Sequence, residues 1–158
     1  MTGPWVTGPW VIGAEVARVT RTMTAERMHW YCDALETALA GHVVVAGVNI
    51  HTDDEFARAN GLPSKVADGM ISTNWLASLL LQVFGEDYLR TGTLRTNYVR
   101  PVLEDAVLTG VIEVTAIEGL ADGTEALTLA VWCETADGIR CTVGDATLRV
   151  QTAPVGPG

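Results

Sequence analysis

From Gly69 to Phe84 the chain is apolar almost all round, and past the first turn of that run its only polar residues are Asn74, Ser78 and Gln82. A spacing of four puts these three on one narrow stripe of a helix, and a helix this apolar elsewhere is predicted to be buried. Upstream, residues 14–22 are strand-like. Thr24 is placed to N-cap a helix whose apolar positions Met28, Tyr31, Cys32, Leu35 and Leu39 share one face. Residues 41–48 read as a loop or short extended piece. Thr52 with Glu55 three residues on reads as a capping box, acidic residues fill the first turn of that short helix, and Gly61 ends it. After Gly85 the period changes to that of strands. Residues 93–102, 106–117, 125–135 and 139–151 are enriched in β-branched side chains and separated by turn signals such as Asp122-Gly123 and Asp137-Gly138.

A first strand, one buried helix and a closing antiparallel meander predict an α+β domain in which a sheet wraps around a central apolar helix, the hot-dog architecture. The length of 158 residues suits one such domain. Residues 14–152 are assigned to it. Residues 1–13 read as an extended lead-in, in which Thr-Gly-Pro-Trp-Val occurs twice and Trp5 or Trp10 is expected to cover apolar surface. A five-residue duplication is too short to be a structural repeat. The Pro/Gly-rich stretch 153–158 reads as a flexible tail.

Charge and cysteine content narrow the function classes. A net charge of −9 argues against a nucleic-acid partner, which needs a basic face. No apolar run reaches the length of a membrane span, so no membrane partner is expected. Cys32, Cys133 and Cys141 are an odd, widely spaced set without a CxxC pair, which fits reduced thiols and a cytoplasmic location. The prolines near the N-terminus do not suit a signal peptide.

The chemistry concentrates in residues 49–70. His51 stands at the mouth of a short acidic helix, and seventeen residues later Asp68-Gly69-Met70 opens the long apolar one. An imidazole, a carboxylate and a glycine amide at a helix N-terminus are what acid/base chemistry beside a carbonyl requires. The bland readings of these residues are a loop histidine bonded to backbone and an aspartate that only caps. Asp53, Asp54 and Glu55 are first-turn helix charges as readily as site residues, and Asn49 either orients His51 or makes a turn. No second histidine stands at ligand spacing from His51, so no metal is expected. His29 and Asp33 read as a helix-surface pair, and His42 sits in a glycine-flanked loop. Lys65, Arg95 and Arg100 are either scattered surface charges or contacts for phosphates.

The stretch 49–70, with Tyr-Val-Arg-Pro-Val at 98–102, resembles the MaoC-like (R)-specific enoyl-thioester hydratases and dehydratases. That family typically reads Gly-Asp-x-Asn-Pro-x-His-x-Asp and, after a short helix, Pro-Ile-x-His-Gly-Met. The resemblance implies a hot-dog homodimer acting on acyl thioesters. Coenzyme A or carrier-protein pantetheine enters only as part of the substrate, with no other cofactor. It places His51 on the catalytic histidine, Asp53 on its acidic partner, Gly69 on the glycine whose amide binds the thioester oxygen, and Met70 beside it. One departure bears on mechanism: the position of the family's catalytic aspartate is Ala46, or Gly47 if one deletion is allowed. A carboxylate appears instead at Asp68, where the family commonly has histidine.

The expected site therefore has His51 and Asp68 as the acid/base pair and the Gly69 amide as oxyanion donor. Asn49 and Asp53 support it, and Met70 and Trp75 wall the substrate pocket. The expected reaction is addition of water to, or its removal from, an enoyl or 3-hydroxyacyl thioester. A hot-dog thioesterase using Asp68, an acid/base enzyme on a non-thioester substrate and a non-catalytic hot-dog subunit are the alternatives.

Overall fold

The structure is a computed structural model and describes residues 9–151. The first copy of the duplicated pentapeptide, with Trp5, and the tail 153–158 lie outside the described residues. The elements run β1 (Glu15–Thr22), α1 (Ala25–Ala40), α2 (Asp54–Ala59), α3 (Gly69–Phe84), α4 (Glu86–Thr91), β2 (Thr93–Tyr98), β3 (Val107–Gly119), β4 (Thr124–Thr135) and β5 (Arg140–Gln151). The five strands form one antiparallel sheet in the order β1-β3-β4-β5-β2. Gly123 and Gly138 take positive φ in the two tight connections the sequence marks.

The sheet curls around α3. Leu76 and Leu80 are fully buried, and Ile71, Leu79, Val83 and Phe84 nearly so, among Leu108, Ile112, Leu129, Val131 and Leu148 of the strands. Each such side chain contributes about 1.5–3 kcal/mol of hydrophobic stabilisation relative to exposure. Strand β5 shows the matching period of two: Ala146, Leu148 and Val150 are buried while Asp145, Thr147 and Arg149 face out. Asn74 and Gln82 of the polar stripe are exposed, as is Leu81. This is the hot-dog arrangement. Trp10 packs against Phe84 with ring centroids 5.0 Å apart, the covering role expected of one of the lead-in tryptophans.

Four local expectations need correction. The N-cap of α2 is Asp53, whose Oδ1 accepts from Phe56 N at 2.7 Å, so the Thr52/Glu55 capping box does not form. Thr52 Oγ1 instead accepts from Asn49 N and donates to Gly47 O, tightening the preceding turn. In α1, Met28 and Cys32 are buried but Leu35 and Leu39 are exposed, because only the first half of the helix lies on the body of the protein. Between Gly85 and β2 the chain makes the short helix α4 rather than strand, with Glu86 and Asp87 in its first turn and Arg90 in its last. His29 and Asp33 do not pair. His29 Nε2 lies 3.3 Å from Thr52 O, and Asp33 Oδ1 accepts from Ala46 N at 2.7 Å, so both tie α1 to the 44–52 segment.

All three cysteines are free and buried, and burial pushes the Cys133 thiol up to about 12, as befits packing rather than reactive thiols. Among the described residues no helix is long and apolar enough to cross a membrane.

The edge strand β2 leaves no room for a side chain at Gly144 of β5. Gly144 faces Thr96 across the pair, and a Cβ at Gly144 would land on the Arg95 carbonyl oxygen. Gly144→Ala is expected to force β2 outward and to cost about 1–3 kcal/mol, as overpacking does. Thermal unfolding should show a melting temperature several degrees lower; an unchanged one would mean that the two strands separate freely.

Candidate active site

Three segments converge at the N-terminus of α3. The first is the Asn49 turn. Asn49 Oδ1 accepts from His51 N at 2.7 Å, a side-chain turn that fixes where the imidazole starts. The second is residues 65–68, which run between the other two. Val66 N donates to Ile50 O, Ala67 N donates to Val102 O, and Val66 forms an isolated antiparallel bridge with Leu103. Lys65, the only lysine of the chain, closes this seam with an ion pair to Glu104 at 2.9 Å. The third segment is the end of β2 and the Arg100-Pro101 turn.

His51 Nδ1 lies 2.8 Å from Val66 O. A carbonyl oxygen only accepts, so Nδ1 carries the proton and the neutral ring presents Nε2 as its basic nitrogen. Nε2 is 3.9 Å from Asp68 Oδ2, and both side chains are about a quarter exposed, so solvent reaches them. At that separation there is no direct hydrogen bond, but a water can bond to both atoms at ordinary lengths.

The Asp68 carboxylate is divided between two tasks. Oδ1 caps α3 by accepting from Met70 N at 2.8 Å, while Oδ2 faces the imidazole. With Met70 N occupied by the cap and Ile71 N bonded to Asp68 O, the Gly69 N–H is the amide of this turn that has no partner among the described residues. The turn itself is anchored from inside. Ser72 Oγ donates to Gly69 O at 2.7 Å and lies 2.7 Å from Thr142 Oγ1 of β5, both hydroxyls being buried. With the Ser72 proton used, Thr142 must be the donor between them.

A cleft of about 240 Å³ opens onto this turn, lined by Asp68, Gly69, Ser72, Tyr98, Arg100 and Val102 among others. The Tyr98 ring lies flat against Gly69, and its hydroxyl is 2.8 Å from Thr73 Oγ1 and 3.1 Å from Met70 Sδ. Tyr31 and Cys32 of α1 approach from the other side. Burial first, and the charge of Asp68 second, raise both the phenol and the thiol above their ordinary values.

The geometry thus brings His51, Asp68, Gly69, Asn49 and Met70 together. Asp53 spends a carboxylate oxygen on the α2 cap, and Trp75 lies in a separate groove between α1 and α3. His42 is exposed and bonds locally to Ala40 O. Ser72 and Thr142 go unmarked in a linear reading, being seventy residues apart; Tyr98 belongs to the 98–102 run that carries the resemblance, but nothing in the sequence seats its ring on Gly69. Asp33 is also more than a surface charge, since it reaches the backbone of Ala46, the position where the family pattern has its aspartate. Among the described residues no group of three or more His, Cys, Asp or Glu side chains is clustered as a metal site.

Comparison with known proteins agrees with this architecture. Residues 48–132, more than half of the chain, match the family model described as MaoC like domain. No curated protein matches the sequence. Among solved structures, the MaoC-like dehydratase from Rhodospirillum rubrum superposes with a TM-score of 0.71 at 15% identity, over 92% of this chain and 95% of that one. The (R)-hydratase from A. caviae gives 0.65 at 20% identity, covering 92% and 98%. The R-hydratase PhaJ1 from Pseudomonas aeruginosa gives 0.63 at 19% identity, covering 94% and 91%. At such identities these likenesses show the shared fold.

Gly69 is required on packing grounds alone. A Cβ there would sit 2.7 Å from the Tyr98 ring, closer than carbon atoms approach in proteins. Gly69→Ala is expected to destabilise the protein by about 1–3 kcal/mol, and Tyr98→Ala in the same chain to remove most of that penalty. A double-mutant cycle of thermal unfolding measures the coupling; additive effects would show that Tyr98 does not press on Gly69.

Proposed function

The chain belongs to the MaoC-like domain family, and we propose that it adds water to, or removes it from, an enoyl or 3-hydroxyacyl thioester. The observation that carries this reading is the Asp68 carboxylate shared between the cap of α3 and His51 Nε2, beside a Gly69 amide that has no partner among the described residues.

In the hydration direction, His51 Nε2 takes a proton from a water held between it and Asp68 Oδ2. The hydroxide so formed bonds to C3 of the enoyl group, and the C2–C3 π electrons move toward the thioester carbonyl. The Gly69 N–H, at the positive end of α3, holds the enolate oxygen. The enolate then reforms the carbonyl and takes a proton at C2 from the imidazolium, directly or relayed through the Asp68 carboxylate, so that His51 is neutral again and one water is added in all. Asp68 opposes the charge on the imidazolium and orients the water, in place of the carboxylate that Ala46 lacks. Asn49 and the Val66 carbonyl hold the ring and its tautomer. Met70 and Tyr98 wall the approach to Gly69, and coenzyme A or a carrier protein presents the acyl group.

A carboxylate beside an unpaired helix-terminal amide also suits thioester hydrolysis. Crotonyl-coenzyme A separates the two: hydration removes enoyl absorbance without releasing thiol, hydrolysis releases thiol, and absence of both identifies a non-catalytic subunit.

We also propose a homodimer. The edges of the sheet are β1 and β2, and joining an edge to that of a second copy satisfies its outward backbone groups. Light scattering at micromolar concentration should give twice the monomer mass; a monomer would refute the pairing.

His51→Ala is expected to reduce hydration by about 10²–10⁴-fold in a folded protein, and Asp68→Asn by about 10²-fold or more. Asn caps a helix nearly as well as Asp, so Asp68→Asn should barely change the melting temperature. Full activity in Asp68→Asn would reduce Asp68 to a cap, and full activity in His51→Ala would move the chemistry elsewhere.

A further inference from the structure

A second groove, of about 360 Å³, runs between α1 and α3 and is lined chiefly by Arg27, Trp30, Tyr31, Ile71, Asn74 and Trp75. One end adjoins the proposed site, because Tyr31 feels the charge of Asp68 and Ile71 lies in the first turn of α3. The other end is Trp75, six residues beyond Gly69, or roughly 9 Å along the helix. The walls between are aromatic and aliphatic, as an acyl chain needs.

The far end is charged. The Arg21 guanidinium lies 5.6 Å and that of Arg27 5.8 Å from the centroid of the Trp75 ring. Among the described residues neither has a carboxylate partner within 4 Å. Arg27 donates to the Thr22 carbonyl, and Arg21, partly buried, stands over the indole and close enough to the buried Cys133 thiol to oppose part of its upward shift. Among the described residues Arg18, Arg58, Lys65 and Arg90 each stand within 4 Å of a carboxylate, and Arg95, Arg100, Arg140 and Arg149, like Arg21 and Arg27, do not; what sets Arg21 and Arg27 apart is that both stand over one ring. In a chain of net charge −9, two uncompensated cations converging on one ring make a local positive spot at the end of an apolar groove. An aromatic face offsets part of the charge but accepts none of the in-plane N–H donors of a guanidinium. The planar fork of those donors fits the two oxygens of a carboxylate.

We infer that the groove between α1 and α3 is the acyl subsite and takes a chain ending in a carboxylate held by Arg21 and Arg27. The inference rests on the hydratase reading for the position of the thioester, but binding alone tests it. Isothermal titration with unreactive saturated thioesters compares adipyl- with hexanoyl-coenzyme A and suberyl- with octanoyl-coenzyme A. The coenzyme is common to each pair, so its phosphates cancel in the ratio. In at least one pair the dicarboxylic member is expected to bind about tenfold tighter or more, the usual effect of hydrogen bonds to a charged group. Arg21→Gln and Arg27→Gln should each lower that ratio, and the double substitution should bring it near one. Equal affinity within both pairs in the wild-type protein, or a ratio that survives the double substitution, overturns the inference. Tight binding of the dicarboxylic thioester without hydration of its 2-enoyl form would keep the subsite and sink the hydratase reading instead.

Discussion

The rest of the molecule depends on the burial of one apolar helix. Sinking α3 into the concave face of the sheet removes its side chains from water, but it also commits the polar groups at its ends. At the C-terminal end Gly85 supplies a backbone cap to Leu81 O. At the N-terminal end there is no such closure. Asp68 satisfies one amide, the Asp68 carbonyl another, and the Gly69 amide is left toward the cleft. The site is thus the unfinished end of the element that stabilises the fold, where the helix dipole also favours developing negative charge.

Precision at that end comes from the surrounding seams. The Ser72–Thr142 hydroxyl pair locks the first turn of α3 to β5, and the Lys65–Glu104 ion pair and Val66–Leu103 bridge lock the approach to it. Glu104 raises the pKa of Lys65, so the ammonium stays charged across the neutral range. The same strand-like approach supplies the Val66 carbonyl that sets the His51 tautomer. Backbone groups, rather than a chain of side chains, therefore decide which imidazole nitrogen is left open, and Asp68 faces that nitrogen from the helix cap.

The two grooves divide the surface around this point. One passes Gly69 beneath the Tyr98 ring, and the other follows α3 to Trp75 and the paired guanidiniums. Both use the helix as a wall, so a single buried element sets how the two grooves lie relative to Asp68 and Gly69.

Sequence alone determined what depends on local pattern. The span of α3, the Thr24 cap of α1, the four strands after α4 and the turns at Gly123 and Gly138 follow from period, capping and turn chemistry, which act over a few residues. It also singled out His51, Asp68 and Gly69, because an imidazole and a carboxylate before a long apolar run are unusual, and because the motif resembles that of a family. Where two local signals competed it failed: Thr52 and Asp53 are adjacent cap formers, and only the turn that draws Thr52 back to Gly47 decides between them. The exposure of Leu35 and Leu39 depends on how far α1 overhangs the body, which no helical period encodes. The His51 tautomer, the Ser72–Thr142 anchor, the seating of Tyr98 on Gly69 and the convergence of Arg21 and Arg27 on Trp75 belong to the tertiary structure. Each joins residues from different elements, and their distances are set by how the sheet curls around α3.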